Sequence, residues 1–197
     1  MVVFDNTALC LLLHPEAEVP NDPTTDAPIE RAQDRMRFLM ERLREEGTRI
    51  VIPAPVLGEF LTFADPQYLA EITQNMWFEV KPFDLRAAIE SAVALRRSIA
   101  NGAGKRLGLS DTWQKIKVDR QLVAIAKANE AGPIYTGDSA VITLATESGV
   151  QAIHVAQLPL PPEPEPQLPF TETLTGSSSS TIEPEPPDAR SPDVLKE

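Results

Sequence analysis

Residues Lys115 to Ser139 read K-I-K-V-D-R-Q-L-V-A-I-A-K-A-N-E-A-G-P-I-Y-T-G-D-S, and this stretch decides the fold of the chain. Apolar residues recur in it at helical spacing, which predicts a helix from about Val118 to Glu130 that ends before Gly132-Pro133. A short apolar strand at residues 134–136 follows. Because a helix and the strand after it run in opposite directions, the start of this helix and the end of this strand lie at one edge of a parallel sheet.

An acidic residue stands at each of those two points. Asp119 lies at the start of the predicted helix, and Asp138 follows just past the end of the strand. Either carboxylate alone could cap a helix, which is an ordinary role for aspartate at such a position. Two carboxylates delivered to one edge by different elements indicate a shared site there.

Short apolar strands alternate with helices along the rest of the chain. The predicted strands are residues 2–4, 50–52, 77–80, 134–136 and 152–155. This alternation predicts an α/β fold, a three-layer sandwich with a mostly parallel five-stranded sheet. One helix is expected to begin after Asp84 and to turn an apolar stripe toward the core. That stripe consists of Leu85, Ala88, Ile89, Ala92, Leu95 and Ile99.

Two further acids follow the first two strands. Asp5 comes directly after the first strand, and Glu59 lies about one turn into the helix that follows the second. Asp5 could also cap a helix, whereas Glu59 lies within the mostly apolar V-L-G-E-F-L and is harder to explain in that way. Function in parallel sheets gathers outside the carboxyl ends of the strands, so Asp5, Glu59, Asp119 and Asp138 are all expected to converge.

Carboxylates that converge need a cation. At about 4 to 6 Å and an effective dielectric constant of about 20, each ionised pair costs roughly 3 to 4 kcal/mol. Ligands made only of oxygen select a hard ion, Mg²⁺ or Mn²⁺, which pairs with phosphate oxygens and suits the hydrolysis of a phosphodiester bond. Lys115, Lys117 and Arg120 are expected to border the site and to hold the backbone of the nucleic acid.

The net charge of −11 is unevenly spread along the 197 residues. Residues 1–157 carry 21 acidic and 16 basic side chains, whereas residues 158–197 carry 8 and 2. The second segment is rich in proline, glutamate and serine and has almost no periodic apolar face. We therefore expect a folded domain at residues 1–157 and a disordered acidic tail at residues 158–197. Between Arg96 and Arg120 basic residues outnumber acidic ones, so this segment carries a local positive charge that can attract a polyanion.

The order and setting of the four acids resemble the PIN-domain family, which includes the toxins of VapC-type toxin–antitoxin pairs. The motifs are V-V-F-D-N-T-A-L with Asp5, P-A-P-V-L-G-E-F-L with Glu59, K-V-D-R-Q-L-V-A-I-A with Asp119 and I-Y-T-G-D-S with Asp138. The resemblance covers about residues 1–157. Family members are metal-dependent ribonucleases in which these acids surround Mg²⁺ or Mn²⁺. The resemblance therefore implies a PIN-like endoribonuclease whose substrate is RNA.

The same resemblance implies supporting residues, and it has two departures. Thr7 and Thr136 are expected to support the site through hydrogen bonds. The first motif reads D-N-T where D-T-S is common in the family, and Ala140 stands where some members carry a further acid. The second departure leaves open whether one metal ion or two bind.

Other functions stay open on the sequence alone. A PIN-like module that binds RNA or a protein without cutting is the main alternative, although such a module has no need to keep four acids together. A phosphatase of the HAD type is suggested by Asp5, but that family has a second aspartate where this chain has Thr7. The candidate protein partners are a small antitoxin and a second copy of the chain.

The cysteine content and the N-terminal residues bear on the compartment. Cys10 is the only cysteine, so no disulfide can form within the chain. The apolar run Ala8–Leu13 is too short to span a membrane, and no basic residue precedes it. We therefore expect a cytoplasmic protein without membrane association.

Overall fold

A computed structural model of the chain describes residues 1–100 and 113–162. Residues Met1–Pro162 form one compact unit. Part of the predicted basic segment, residues 101–112, and the predicted tail from residue 163 onward lie outside the described residues. In the described ranges, no helix is both long enough and apolar enough to cross a membrane.

A five-stranded sheet forms the centre of the compact unit. Its strands are β1 (Val2–Phe4), β2 (Ile50–Pro53), β3 (Phe78–Lys81), β4 (Ile134–Thr136) and β5 (Ala152–His154). The strand order is β3-β2-β1-β4-β5, and every neighbouring pair is parallel. In the register, Val3 lies beside Val51 on one side and Ile134 on the other. The predicted mostly parallel five-stranded sheet is confirmed.

Helices connect the strands and cover both faces of the sheet. They are α1 (Asn6–Leu13), α2 (Ala32–Glu45), α3 (Ala54–Phe63), α4 (Gln67–Gln74), α5 (Leu85–Ala100), α6 (Trp113–Ala128) and α7 (Ser139–Glu147). Alternate residues of a strand face opposite sides, so β1 supplies both cores. Phe4 belongs to the core on one face, which also contains Met36 of α2, and Val3 belongs to the core on the other face, which contains Ile125 of α6. The three-layer sandwich is thereby confirmed.

Helix α6 begins earlier than the apolar spacing predicts. Its first residue is Trp113, whereas the predicted start was about Val118. The added residues, W-Q-K-I-K, contain good helix formers but little apolar periodicity, which is why the spacing did not include them. Asp119 therefore lies in the second turn of α6 and cannot be its N-cap, so the capping interpretation of this residue is wrong.

The start of α5 was predicted correctly, but its buried face was not. Asp84 caps the helix, since the Ala87 backbone N–H donates to its Oδ1 at 2.9 Å. Leu85 and Ile89 of the predicted stripe are 77% and 55% exposed, whereas Ala87 is fully buried against α6. The spacing identified an apolar stripe on α5, but the side of the helix that packs against α6 is the one that carries the small residue Ala87.

Candidate active site

A cavity of about 420 Å³ opens where β1 and β4 end. All four acids predicted from the sequence line it, and α1, α3 and α6 form its walls. The lining residues are Asp5, Asn6, Thr7, Val56, Glu59, Thr62, Phe63, Lys115, Val118, Asp119, Leu122, Asp138 and Val141. The convergence expected from parallel-sheet topology is therefore present in the structure.

Asp5 is held at the bottom of this cavity by two hydrogen bonds. It is the N-cap of α1, where its Oδ1 accepts from the Ala8 backbone N–H at 2.7 Å. The Thr136 hydroxyl donates to the other carboxylate oxygen. The side chain is buried, and burial raises its pKa to about 6 although these hydrogen bonds oppose the rise. Asp5 thus caps a helix and lines the cavity at once.

Asp138 has the same double role at the start of α7. Its Oδ1 accepts from the Ala140 backbone N–H at 2.7 Å, and its own N–H donates to Thr136 Oγ1 at 2.9 Å. Its Oδ2 lies 2.7 Å from Lys115 Nζ. Although burial raises the pKa of Asp138, the hydrogen bonds from Lys115 and Ala140 and the lysine charge outweigh it, so the pKa is lowered overall.

Glu59 and Asp119 approach the cavity from the helices α3 and α6. In the part of the chain that the structure describes, neither carboxylate accepts a hydrogen bond. Burial and the neighbouring carboxylates of Asp138, Glu59 and Asp5 together raise the pKa of Asp119 to about 7, although Lys115 opposes the rise. Burial also raises the pKa of Glu59, again opposed by Lys115. Asp119 therefore experiences an excess of negative charge that its surroundings do not neutralise, whereas the pKa of Glu59 is raised by burial.

The donor atoms fit a hard divalent cation in their chemistry. Each of the four acids offers carboxylate oxygen, the ligand that Mg²⁺ and Mn²⁺ prefer. Within residues 1–100 and 113–162, however, no three Asp, Glu, His or Cys side chains already stand close enough to hold a metal ion. The acids share one cavity without forming a closed ligand set, and the Lys115 ammonium places a positive charge among them.

The threonines predicted to support the site differ in what they contact. Thr136 is fully buried and links Asp5 to the backbone of Asp138 through one hydroxyl. Thr7 lines the cavity but makes no hydrogen bond to Asp5 among the described residues. It packs instead on Gly137, where a Cβ would stand 2.5 Å from the Thr7 methyl, so only glycine fits between Thr136 and Asp138.

His154 is a supporting residue that the sequence did not reveal. It is buried at the end of β5, its Nδ1 accepts from the Ala156 N–H at 3.1 Å, and its Nε2 lies 3.1 Å from the Gly137 carbonyl oxygen. Because Nδ1 accepts, the proton of the neutral ring is on Nε2, which donates to that carbonyl. His154 thus holds the turn that presents Asp138. Only its place in the strand next to β4 could have indicated this.

The three basic residues predicted to hold RNA do not come together. Lys115 lies one helical turn before Asp119 and lines the acid cavity. Lys117 and Arg120 lie instead in a separate groove between α5 and α6, beside Phe83 and Leu95. Residues two apart on a helix face different directions, so consecutive basic residues of α6 cannot all reach one cavity.

Several solved structures resemble this fold, and two of them illustrate the likeness. A chain of the structure of FitAB bound to the IR36 DNA fragment matches with 18% identity and a TM-score of 0.51, covering 81% of this chain and 98% of that one. A chain of VapBC2 from Rickettsia felis, bound to a DNA fragment from their promoter, matches with 15% identity and a TM-score of 0.49. That match covers 78% of this chain and 98% of the other. No protein-family model and no curated protein matches the sequence. At such identities the likeness to FitAB concerns the fold alone.

Proposed function

Because the chain has a PIN-like fold, we propose that it is a metal-dependent endoribonuclease that hydrolyses RNA phosphodiester bonds. One observation carries the proposal. Asp5, Glu59, Asp119 and Asp138 line a single cavity, and crowding with burial raises the pKa of Asp119 to about 7. A fold gains nothing from such crowding, so the cluster points to a cationic ligand and to the chemistry that the cation brings.

The residues that would hold Mg²⁺ or Mn²⁺ are these four acids. When bound, such an ion lowers the pKa of a water molecule and stabilises negative charge on the phosphate. Asp5 and Asp138 offer carboxylates whose positions hydrogen bonds already fix. Glu59 and Asp119 lack such bonds within the described ranges, so their side chains can turn toward an ion.

Lys115 is the residue that we assign to the RNA backbone. Its ammonium lies 2.7 Å from Asp138 and lines the same cavity, so it can contact a phosphate placed beside the acids. Lys117 and Arg120 lie in the groove between α5 and α6 and would meet only a strand that extends beyond the cavity. We therefore place the first phosphate contact on Lys115.

The test is incubation of the purified full chain with mixed cellular RNA in Mg²⁺, in Mn²⁺ and in EDTA. We expect cleavage with either ion and none in EDTA. Asp119→Asn should lower the rate by about a hundredfold or more, since a positioned ion and water supply several kcal/mol of transition-state stabilisation. Glu41→Gln on the surface of α2 is the matched control and should cleave like the parent. RNA that stays intact in all three conditions would contradict the nuclease and favour a module that binds RNA or a protein without cutting.

The resemblance to VapC-type toxins extends the proposal to a protein partner. A small antitoxin with a basic or amphipathic segment would neutralise the acid cavity without metal, because its charges complement the four carboxylates. Expression of this chain alone should then slow growth and degrade RNA. Normal growth with stable RNA would count against the toxin role, while the cleavage assay in vitro would still decide the nuclease.

A further inference from the structure

Phe63 is an aromatic side chain that the fold leaves in solvent. It is the last residue of α3 and is 87% exposed, while Phe60 on the same helix is buried in the core. Phe63 also lines the acid cavity, together with its neighbour Thr62. An exposed aromatic ring has no structural role to fulfil here, yet it stands at the mouth of the candidate active site.

The position of Phe63 relative to Glu59 suits a nucleotide. The two residues are four apart on α3, so they lie on one face of the helix and about 6 Å apart along its axis. The cavity lining also includes apolar side chains, those of Val56, Val118 and Leu122. The cavity therefore combines carboxylates and Lys115 with a flat ring and aliphatic groups.

A ligand that matches both kinds of lining residue needs an anionic group and a flat apolar group joined by a short link. A nucleotide has this composition, with its phosphate and its base. In a duplex the bases are stacked inside and are not available to a protein ring, whereas in a single strand they can be splayed out and stacked on an aromatic side chain. An aromatic ring stacks on every kind of base, so it selects for unpaired strands and not for a sequence.

We infer that Phe63 stacks on an unpaired base of the strand whose phosphate lies at the four acids. This inference rests on the proposed function, because the acids are what would hold the phosphate. It adds a base-binding residue to the site.

Steady-state cleavage of a short single-stranded RNA tests the inference. Phe63→Ala should raise KM about tenfold with little change in kcat, since loss of one stacked base weakens binding by about that factor. Phe63→Trp should keep the parental KM. Met76→Ala is the control, because Met76 is 78% exposed but lies outside the acid cavity. The parent should cut the single strand at least tenfold faster than the same sequence in a duplex. Thermal unfolding of each variant should match the parent, because Phe63 is exposed.

A second measurement separates this inference from the proposed function. A single-stranded RNA that carries 2-aminopurine reports base stacking by its fluorescence. Binding of this RNA is compared between the Asp119→Asn variant and the double variant that also carries Phe63→Ala. We expect a fluorescence change that Phe63→Ala abolishes.

The possible outcomes distinguish the base contact from the nuclease activity. If the parent cuts RNA while Phe63→Ala alters neither KM nor fluorescence, the base contact is refuted and the nuclease stands. If the parent never cuts but the fluorescence change depends on Phe63, the nuclease is refuted and the base contact stands. If Phe63→Ala weakens only the binding of a protein partner, the ring is a protein anchor and the inference falls.

Discussion

The acid cavity has two halves that the fold holds in different ways. The sheet half consists of Asp5 and Asp138 with Thr136, at the ends of β1 and β4, and hydrogen bonds fix each of its members. The helix half consists of Glu59 on α3 and Asp119 on α6, whose carboxylates accept no hydrogen bond in the described part of the chain. The first half is part of the folding of the protein, whereas the second only adds charge to the cavity.

This difference separates stability from function. Changes in the sheet half remove hydrogen bonds that α1, α7 and the turn at Gly137 require, so they should affect both folding and cleavage. Changes in the helix half relieve burial and repulsion of carboxylates, as the raised pKa values of Glu59 and Asp119 indicate. They should affect cleavage while leaving the apo protein as stable as before or more so.

The largest effect is expected from alanine and asparagine substitutions at positions 5 and 119. Cleavage should fall by about a hundredfold or more in all four variants. Asp5→Asn keeps an N-cap and Asp5→Ala does not, so Asp5→Ala should be less stable than Asp5→Asn by about 1 to 2 kcal/mol. At position 119, inside a helix, Asp119→Ala should be equal to Asp119→Asn or more stable by up to about 0.7 kcal/mol. Urea unfolding in EDTA measures both differences, and the same sign at the two positions would remove the distinction between the halves.

A smaller effect is expected when the hydroxyl of a threonine that lines or supports the cavity is removed. Thr136→Val leaves a buried Asp5 oxygen and the Asp138 N–H without their partner, which should cost about 1 to 3 kcal/mol of stability and about tenfold in cleavage rate. Thr62→Val is the matched variant, because Thr62 also lines the cavity but donates only to Gly58 within α3, at an exposed position. Its stability should change by less than about 0.5 kcal/mol. Equal losses in the two variants would show that the sheet half is not specially fixed.

Removal of the Lys115 charge should strengthen metal binding, which is the opposite of the effect expected when an acid is removed. The lysine opposes a divalent cation because both are attracted to the same carboxylates. Lys115→Gln should therefore tighten Mn²⁺ binding by about three- to tenfold, measured by calorimetry, even though it weakens RNA binding. Lys117→Gln, on another side of α6, should leave the Mn²⁺ affinity unchanged. Weaker Mn²⁺ binding by Lys115→Gln would mean that the lysine helps to organise the site.

A further effect is expected in the dependence of stability on pH. The pKa of Asp119 is about 7 in the folded protein and 3.8 for a freely solvated aspartate, as in the unfolded chain. Between these pH values the folded state therefore retains a proton that the unfolded state has lost. Stability without metal should therefore decrease as pH rises from about 4 to about 7 and level off above, with Asp5 contributing up to about pH 6. In Asp119→Asn the decrease between pH 6 and 7 should vanish. Unfolding in urea at several pH values in EDTA measures this, and an unchanged slope would mean that Asp119 titrates normally.

Sequence reasoning found the four acids because topology brings them together. Asp5 and Asp138 follow adjacent parallel strands, and no packing detail is needed to place them at one edge. The start of α6 was missed because its first turn has good helix formers without apolar periodicity. Lys117 and Arg120 were assigned to the site because they are close in sequence to Asp119, although α6 turns them toward α5.

Contacts between residues that are distant along the chain could not be predicted from the sequence. The bond from Thr136 to Asp5 spans two strands, and only the family resemblance suggested a role for that threonine. His154 contacts Gly137 because β5 lies beside β4, which depends on strand order and not on spacing. The exposure of Phe63 depends on which side of α3 faces the core, and apolar content alone hides that.

The most direct test of the acid cavity as a metal site is a calorimetric titration of Mn²⁺ into the full chain and into Asp119→Asn at pH 7.5. We expect the parent to bind Mn²⁺ and the variant to bind it at least about tenfold more weakly, because a neutral amide replaces one of the four carboxylates that attract the ion. Added Mn²⁺ should correspondingly stabilise the parent more than the variant. A parent that binds no Mn²⁺, or a variant that binds it equally well, would contradict a site in which Asp5, Glu59, Asp119 and Asp138 act together.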